Sequence, residues 1–193
     1  MKKVYKLLVF LIIALLFVFN CSYVFANTHN AQLRTKSQVL LIINNIAHSK
    51  HDKALNQLMN EKLQEKIDVI YRQEDSTPYI KNLVGQENAK LTVEEIINKI
   101  AGSKSDYLIY AELKHIDKDT NFNLIYHGKE VEVTFYLRIV DIKNKKDLYA
   151  SEYSLKAEDD TDYFFVGSGS VAKKALEKVL FRAGEAISVY LPL

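Results

Sequence analysis

Val39-Leu40-Leu41-Ile42-Ile43 is an unbroken apolar run that begins and ends on β-branched residues. A strand with one wet face alternates polar and apolar side chains. A run without alternation suits a strand covered on both faces, so an inner strand of a sheet flanked by helices is predicted here. Asn44-Asn45 and His48-Ser49 lead out of it. Asp52 is placed to cap a helix, and Ala54, Leu55, Leu58, Met59 and Leu63 recur at helical spacing. Ile67 to Tyr71 reads as a second strand. A β-α-β start implies parallel pairing through a right-handed crossover.

Further along, Pro78 and Gly85 bracket a short helix around Tyr79 to Val84. Thr92 followed by Glu95 is a capping box, with Ile96, Ile97 and Ile100 as the buried stripe and Gly102 as the stop. Asp106 to Leu113 is the third strand. From Glu130 to Asp141 the alternation is strict. Val131, Val133, Phe135, Leu137 and Ile139 fall on one face; Glu132, Thr134, Tyr136 and Arg138 fall on the other. That pattern marks a sheet with one packed and one wetter face. Lys143 to Asp147 is a turn without glycine, and Leu148 to Leu155 returns as the last strand, with Tyr149, Tyr153 and Leu155 on one side. Glu158 to Asp162 and Gly167-Ser168-Gly169 read as loop. The final helix runs from Ser170 to Tyr190, with Ala172, Ala175, Leu176, Val179, Leu180, Ala183 and Ile187 on one stripe. The fold class is α+β: a mixed sheet of about five strands in the order β-α-β-α-β-β-β-α, helices mostly on one face, the other face partly polar and open to contact.

The amino terminus reads as an address. Lys2, Lys3 and Lys6 precede the apolar run Leu7 to Phe19, and Val24-Phe25-Ala26 closes the segment. This is the order of a secretory signal cut after Ala26. An uncleaved anchor through residues 7–25 is the competitor, though the unbroken run is shorter than the about 20 residues a spanning helix needs. Cys21 follows Phe19-Asn20, where a lipidation site wants small residues, so it reads as part of the removed peptide. Residues 27–37 read as a polar, flexible lead-in and 38–193 as one domain. Residues 1–26 hold three Lys and no acid, so without them 23 basic residues face 24 acidic ones and the formal charge is −1 instead of +2. That balance excludes nucleic acid as an expected partner. The single Cys leaves with the signal, and with it any disulfide. Scarce Gly and Pro argue against a wall linker or a glycine-rich array.

Ser105-Asp106-Tyr107-Leu108-Ile109-Tyr110-Ala111-Glu112-Leu113, following a helix that ends near Gly102, and Arg138-Ile139-Val140-Asp141-Ile142-Lys143-Asn144-Lys145 as a hairpin entry carry a resemblance. In element order over residues 38–190 the chain resembles exported bacterial domains: the TolB amino-terminal domain, the curli-secretion lipoproteins and the outer-membrane lipoprotein activators of peptidoglycan synthases. Their hairpin usually carries a Gly where this chain has Asn144-Lys145-Lys146. The resemblance implies an assembly or interaction domain without catalysis, and it transfers no site residue.

Chemistry-bearing residues are few. His48, His51 and Asp52, with His115 or His127 brought near, would make a metal site, but no zinc spacing is present and helix capping explains the same residues. Gly167-Ser168-Gly169-Ser170 opens a helix and offers an anion its N–H groups, without the Gly-Lys-Ser/Thr ending of a P-loop. Neither Ser168 nor Ser170 sits in a nucleophile elbow. Glu158, Asp159, Asp160 and Asp162 lack calcium-loop spacing and read as a solvated acidic loop. No cofactor is expected.

Tyr107, Tyr110, Tyr126, Tyr136, Tyr149, Tyr153 and Tyr163 gather in the strand-rich half. They serve equally as amphipathic core or as contact residues. Tyr136 and Arg138, beside Thr134 on the wetter face, are the expected binding surface, with Arg138 replaceable at no cost to folding. The expected function is a non-catalytic, extracytoplasmic protein-binding or assembly domain of the cell envelope. Its expected partner is an envelope protein or a second copy, and it meets the membrane only if the signal stays. The alternative is a small secreted hydrolase or ligand-binding protein. A cleft with converging His, Asp or Ser would mark the alternative; a flat strand face bearing Tyr136 and Arg138 would mark the binder.

Overall fold

A computed structural model describes residues 37–68, 71–123, 126–159 and 168–191, with side chains at all of these except 119–123, 126–129, 159 and 168. The signal segment, Cys21, most of the lead-in, Asp160, Asp162, Tyr163 and Gly167 lie outside the described residues, as do the side chains of Tyr126 and His127.

The elements run β1 (Gln38–Asn45), α1 (Asp52–Ile67), β2 (Arg72–Glu74), α2 (Ile80–Leu83), α3 (Val93–Lys99), β3 (Tyr107–Asn123), β4 (Tyr126–Asp141), β5 (Lys146–Asp159) and α4 (Ser168–Tyr190). The sheet order is β2-β1-β3-β4-β5. β1 pairs in parallel with β2 and β3, as its apolar run predicted, while β3-β4-β5 is an antiparallel meander. The α+β class, the five-stranded mixed sheet and the element order are as expected.

Alternation sends each strand's side chains to two different cores. Val39 and Leu41 of β1, Ile109, Ala111 and Leu113 of β3, and Val131 to Ile139 of β4 meet the apolar stripes of α1 and α4. On the other face Leu40, Ile42, Leu108, Tyr110 and Val140 meet α2 and α3 through Tyr79, Leu83, Ile96 and Ile100. The two long helices thus cover most of one face and leave Tyr153 and Leu155 of β5 half-buried. The short pair covers only the β1-β3 end of the other, and the β4-β5 end of that face carries polar side chains. Burying each large aliphatic side chain in these cores contributes about 1.5–3 kcal/mol.

Two bulges re-phase the meander. Lys114 is the extra residue between Leu113 and His115, which returns Ile116 to the α1/α4 face opposite Val133. Leu148 is the extra residue in β5, between Asp147 opposite Val140 and Tyr149 opposite Ile139.

Several boundaries differ from the sequence reading. Ile67 closes α1 instead of opening a strand, because the Tyr71 N–H still bonds the Ile67 carbonyl at 2.9 Å, and β2 has only three residues. Asp52 is the first residue of α1 and not its cap; its carboxylate folds back to the Ser49 N–H at 2.8 Å. Ala54, counted in the stripe of α1, is exposed. β3 and β5 are longer than expected, so Glu158 and Asp159 belong to a strand and not to a loop. The capping box of α3 is present: the Glu95 N–H donates to Thr92 Oγ1 at 3.2 Å, and the Thr92 N–H to Glu95 Oε2 at 2.7 Å.

Candidate functional site

The even-numbered residues of β4 point away from α1 and α4, as their alternation required. Arg138 does so at the covered end of that face and is 4% exposed. Its Nε donates to Asp147 Oδ1 at 2.6 Å and Nη2 to Asp147 Oδ2 at 2.9 Å, while Nη1 donates to the Leu91 carbonyl at 2.5 Å. The guanidinium is therefore spent inside the molecule, joining the start of β5 to the loop that enters α3. This corrects the expectation of Arg138 as an open contact residue. A side chain with three well-placed acceptors is folded into its own protein before any partner arrives.

Tyr136 and Thr134 lie further along the same face and are half-buried. Burial holds the Tyr136 phenol above its usual range, with the charge of Arg138 acting the other way. Around them Glu152 pairs with Lys114 at 2.8 Å, and Lys114 reaches Glu87 at 3.3 Å. The bond to Glu152 keeps the Lys114 ammonium above its ordinary range against burial. Thr134 Oγ1 and Ser154 Oγ are 3.2 Å apart, Ser154 donates to Glu132, and Lys156 pairs with Glu130. Among the described residues the open half of the face is thus a row of paired opposite charges and hydroxyls.

Converging polar groups do exist, beneath the chain that joins α2 to α3. Asn44, Asn88, Tyr110 and Glu112 are buried together under the loop between α2 and α3. Glu112 Oε2 accepts from the Asn88 N–H at 3.0 Å, from Asn44 Nδ2 at 3.0 Å and from the Tyr110 hydroxyl; Oε1 makes no hydrogen bond. Burial, then the bond to Glu112, drives the Tyr110 phenol far above its normal range. Asn44 Oδ1 accepts the Gly85 N–H at 2.8 Å, and Asn88 Nδ2 reaches the Leu83 carbonyl at 2.7 Å. Gly85 has φ +84, which other residues rarely adopt. The cluster ties the loop to the sheet. Its signal in the sequence was an acid set among apolar residues in Leu108 to Leu113.

The remaining candidates are scattered. His48 is exposed and His115 lies on the open face opposite Thr134. His51 sits at the other side of the sheet, its ring where a Cβ on Gly169 would come within 2.7 Å. Among the described residues no three His, Cys, Asp or Glu side chains group as metal ligands. Nor is any described helix long and apolar enough to cross a membrane.

The outer edge of β5 is the other distinctive surface. Among the described residues this strand of 14 residues pairs only with β4. Beside it a groove of about 750 Å³ is lined by the apolar Leu155, Ala157 and Phe181 and by charged residues of both signs, Lys178 and Glu177 among them. Phe181 is 63% exposed. Lys178 Nζ donates to the Lys156 carbonyl at 3.0 Å. At the start of β5 Tyr149 stacks on Tyr190 with ring centres 4.6 Å apart, and its hydroxyl meets that of Tyr153 at 2.6 Å, so these tyrosines serve as packing.

No protein-family model matches the chain, and no curated protein matches it. Solved structures that are similar include the hypothetical protein CT253 from Chlamydia trachomatis, at TM-score 0.48 and 10% identity over 77% of this chain and 96% of that one. Lipoprotein GNA1162 from Neisseria meningitidis is similar at TM-score 0.43 and 13% identity, over 77% of this chain and 99% of that one. The PelC dodecamer from Paraburkholderia phytofirmans follows at TM-score 0.40 and 13% identity, over 77% and 86%. All three are bacterial, and none bears the name of a TolB, curli-secretion or synthase-activator domain. Likeness at this distance assigns the chain neither a family nor an activity.

Proposed function

We propose that this chain is a non-catalytic, extracytoplasmic domain that binds protein along the outer edge of β5, in the cell-envelope role that its sequence resemblance implies. The observation that carries this reading is the long β5 edge with the exposed ring of Phe181 beside it. An edge strand presents unpaired N–H and C=O groups to any incoming strand. An exposed aromatic next to that edge adds the apolar area on which binding energy concentrates. The lysine-led apolar segment ending in Val24-Phe25-Ala26 supports a place of action beyond the cytoplasm. The polar cluster around Glu112 supports a structural use for the molecule's converging acid and amide groups, since they bond one another and the loop above them.

Site-specific photocrosslinking in living cells tests the reading. A benzophenone side chain at Ser154 or Phe181 is expected to yield protein adducts, and one at the exposed Asn60 of α1 is not. Adducts absent at both β5-side positions, or equally strong at Asn60, would remove the β5 edge as the working surface.

A further inference from the structure

We infer that the occupant of the β5 edge is a second copy of this chain, paired antiparallel through β5 about a two-fold axis at Ser154; this rests on the reading of β5 as a binding edge. The bond from Lys178 to the Lys156 carbonyl marks Lys156, and with it Ser154, Glu152 and Glu158, as residues whose backbone groups turn away from β4. An incoming β5 must therefore set even-numbered residues against even-numbered ones, which leaves few registers.

Charge selects among them. Along the open face β5 reads Ala150, Glu152, Ser154, Lys156, Glu158. Centred on Ser154, Glu152 of each copy meets Lys156 of the other, and Ala150 meets Glu158. No like charges face each other. Centred on Glu152 or on Lys156, identical charges meet at the axis, and centred on Leu155, Glu152 meets Glu158. Centred on Tyr153, Glu152 meets Ser154 and Lys156 meets Ala150, so no ion pair forms; centred on Ala157, Glu158 meets Lys156, but only residues 155–159 of β5 then overlap, against 149–159 about Ser154. Opposite charges directly across a strand pair stabilise it and like charges destabilise it. In the same Ser154-centred register the other face sets Tyr153 against Leu155 of the second copy. The grooves containing Leu155 and Phe181 then lie on either side of the axis.

Lys178 acts as a guard in this arrangement. Its amine occupies the Lys156 carbonyl that the Glu152 N–H of the second copy would take, as lysines on edge strands do. Removing it opens the edge.

Sedimentation velocity on the full chain tests the inference, with thermal unfolding as a check on folding because Glu152 and Lys156 also pair within the chain. The native chain is expected to dimerise. Glu152→Lys alone and Lys156→Glu alone each set like charges across the axis twice, and each is expected to raise the dimer Kd by roughly tenfold or more. Mixing the two single variants restores opposite charges at both pairs and is expected to recover a mixed dimer. Lys178→Met is expected to tighten the dimer. A native chain that stays monomeric, or a dimer indifferent to both reversals, or single variants that fail to complement when folded, overturns the pairing. A monomer that still crosslinks at Ser154 to another protein overturns the second copy while leaving the β5 edge as a binding surface.

Discussion

The Asp147 carboxylate grips the Arg138 guanidinium from both of its oxygens, at 2.6 and 2.9 Å, across the β4-β5 hairpin. The pair exists because Leu148 bulges. Without the extra residue Asp147 would share a face with Tyr149 and point at α4; with it, Asp147 lies opposite Val140 and turns toward Arg138.

Arg138 is therefore a folding residue. Arg138→Glu sets an acid against Asp147 and leaves the Leu91 carbonyl without its donor. Breaking a buried pair by removing one partner costs about 3–5 kcal/mol, and Asp147, 35% exposed, recovers part of that through hydration. A loss of about 3 kcal/mol in urea unfolding is expected. Arg138→Lys keeps the charge without the two-pronged geometry and falls between the native chain and the Glu variant. Unchanged unfolding of Arg138→Glu would return this side chain to the surface.

Glu112 is expected to hold the loop between α2 and α3. Glu112→Ala leaves the Asn88 N–H, Asn44 Nδ2 and the Tyr110 hydroxyl short of their shared acceptor, at about 1–3 kcal/mol for each group left unsatisfied. Hydrogen exchange at the Asn88 and Gly85 amides should accelerate sharply. Glu112→Gln retains one acceptor oxygen and should cost less. Equal protection at both amides in the Ala variant would show that the loop is held by other contacts.

Glu74 makes stability depend on acid. Burial acts to raise its carboxyl pKa, but bonds from Ser103, Ser105 and the Lys104 N–H outweigh that and hold it below the ordinary glutamate value of 4.5. A carboxyl depressed on folding contributes stability that is fully present above 4.5 and is lost as pH falls through its folded value. Thermal midpoints measured from pH 7 down to about 3 should fall along this limb. Glu74→Gln should be less stable at neutral pH and fall more shallowly. A parallel acid limb in the Gln variant would assign the effect to other carboxyls.

Lys145 closes the β4-β5 hairpin with φ +50, in the left-handed region that Gly adopts most readily. A side chain there costs roughly 1–2 kcal/mol, and Gly gives back part of the gain through the entropy of the unfolded chain. Lys145→Gly should therefore add about 0.5–1 kcal/mol and raise Tm by about 1–4 °C. Lys145→Val should lower it. A lower Tm for the Gly variant would show that the lysine side chain makes a contact outweighing its backbone strain.

Local signals predicted local structure well. The capping box at Thr92, the stripe of α4 and the alternation of β4 each depend on residues a few positions apart, and each is found where its pattern placed it. The end of α1 is not legible in the sequence, because Ile67 to Tyr71 is apolar enough for helix or strand. The burial of Arg138 is not legible locally, because alternation reports which face a side chain takes and not what else covers that face. Nothing near Glu112 announces that Asn44 and Asn88 will meet it, since those residues lie 68 and 24 positions away.

The sequence by itself determined the parallel start and the antiparallel return, because each follows from hydropathy or periodicity along a short span. Tertiary structure alone decided that Arg138 is clamped, that Glu112 is roofed by a loop, and that β5 is left as an edge with Phe181 beside it. Such outcomes depend on strand order and on two bulges that switch faces by a single residue, and pairing across a sheet is a relation between distant segments that no local pattern records.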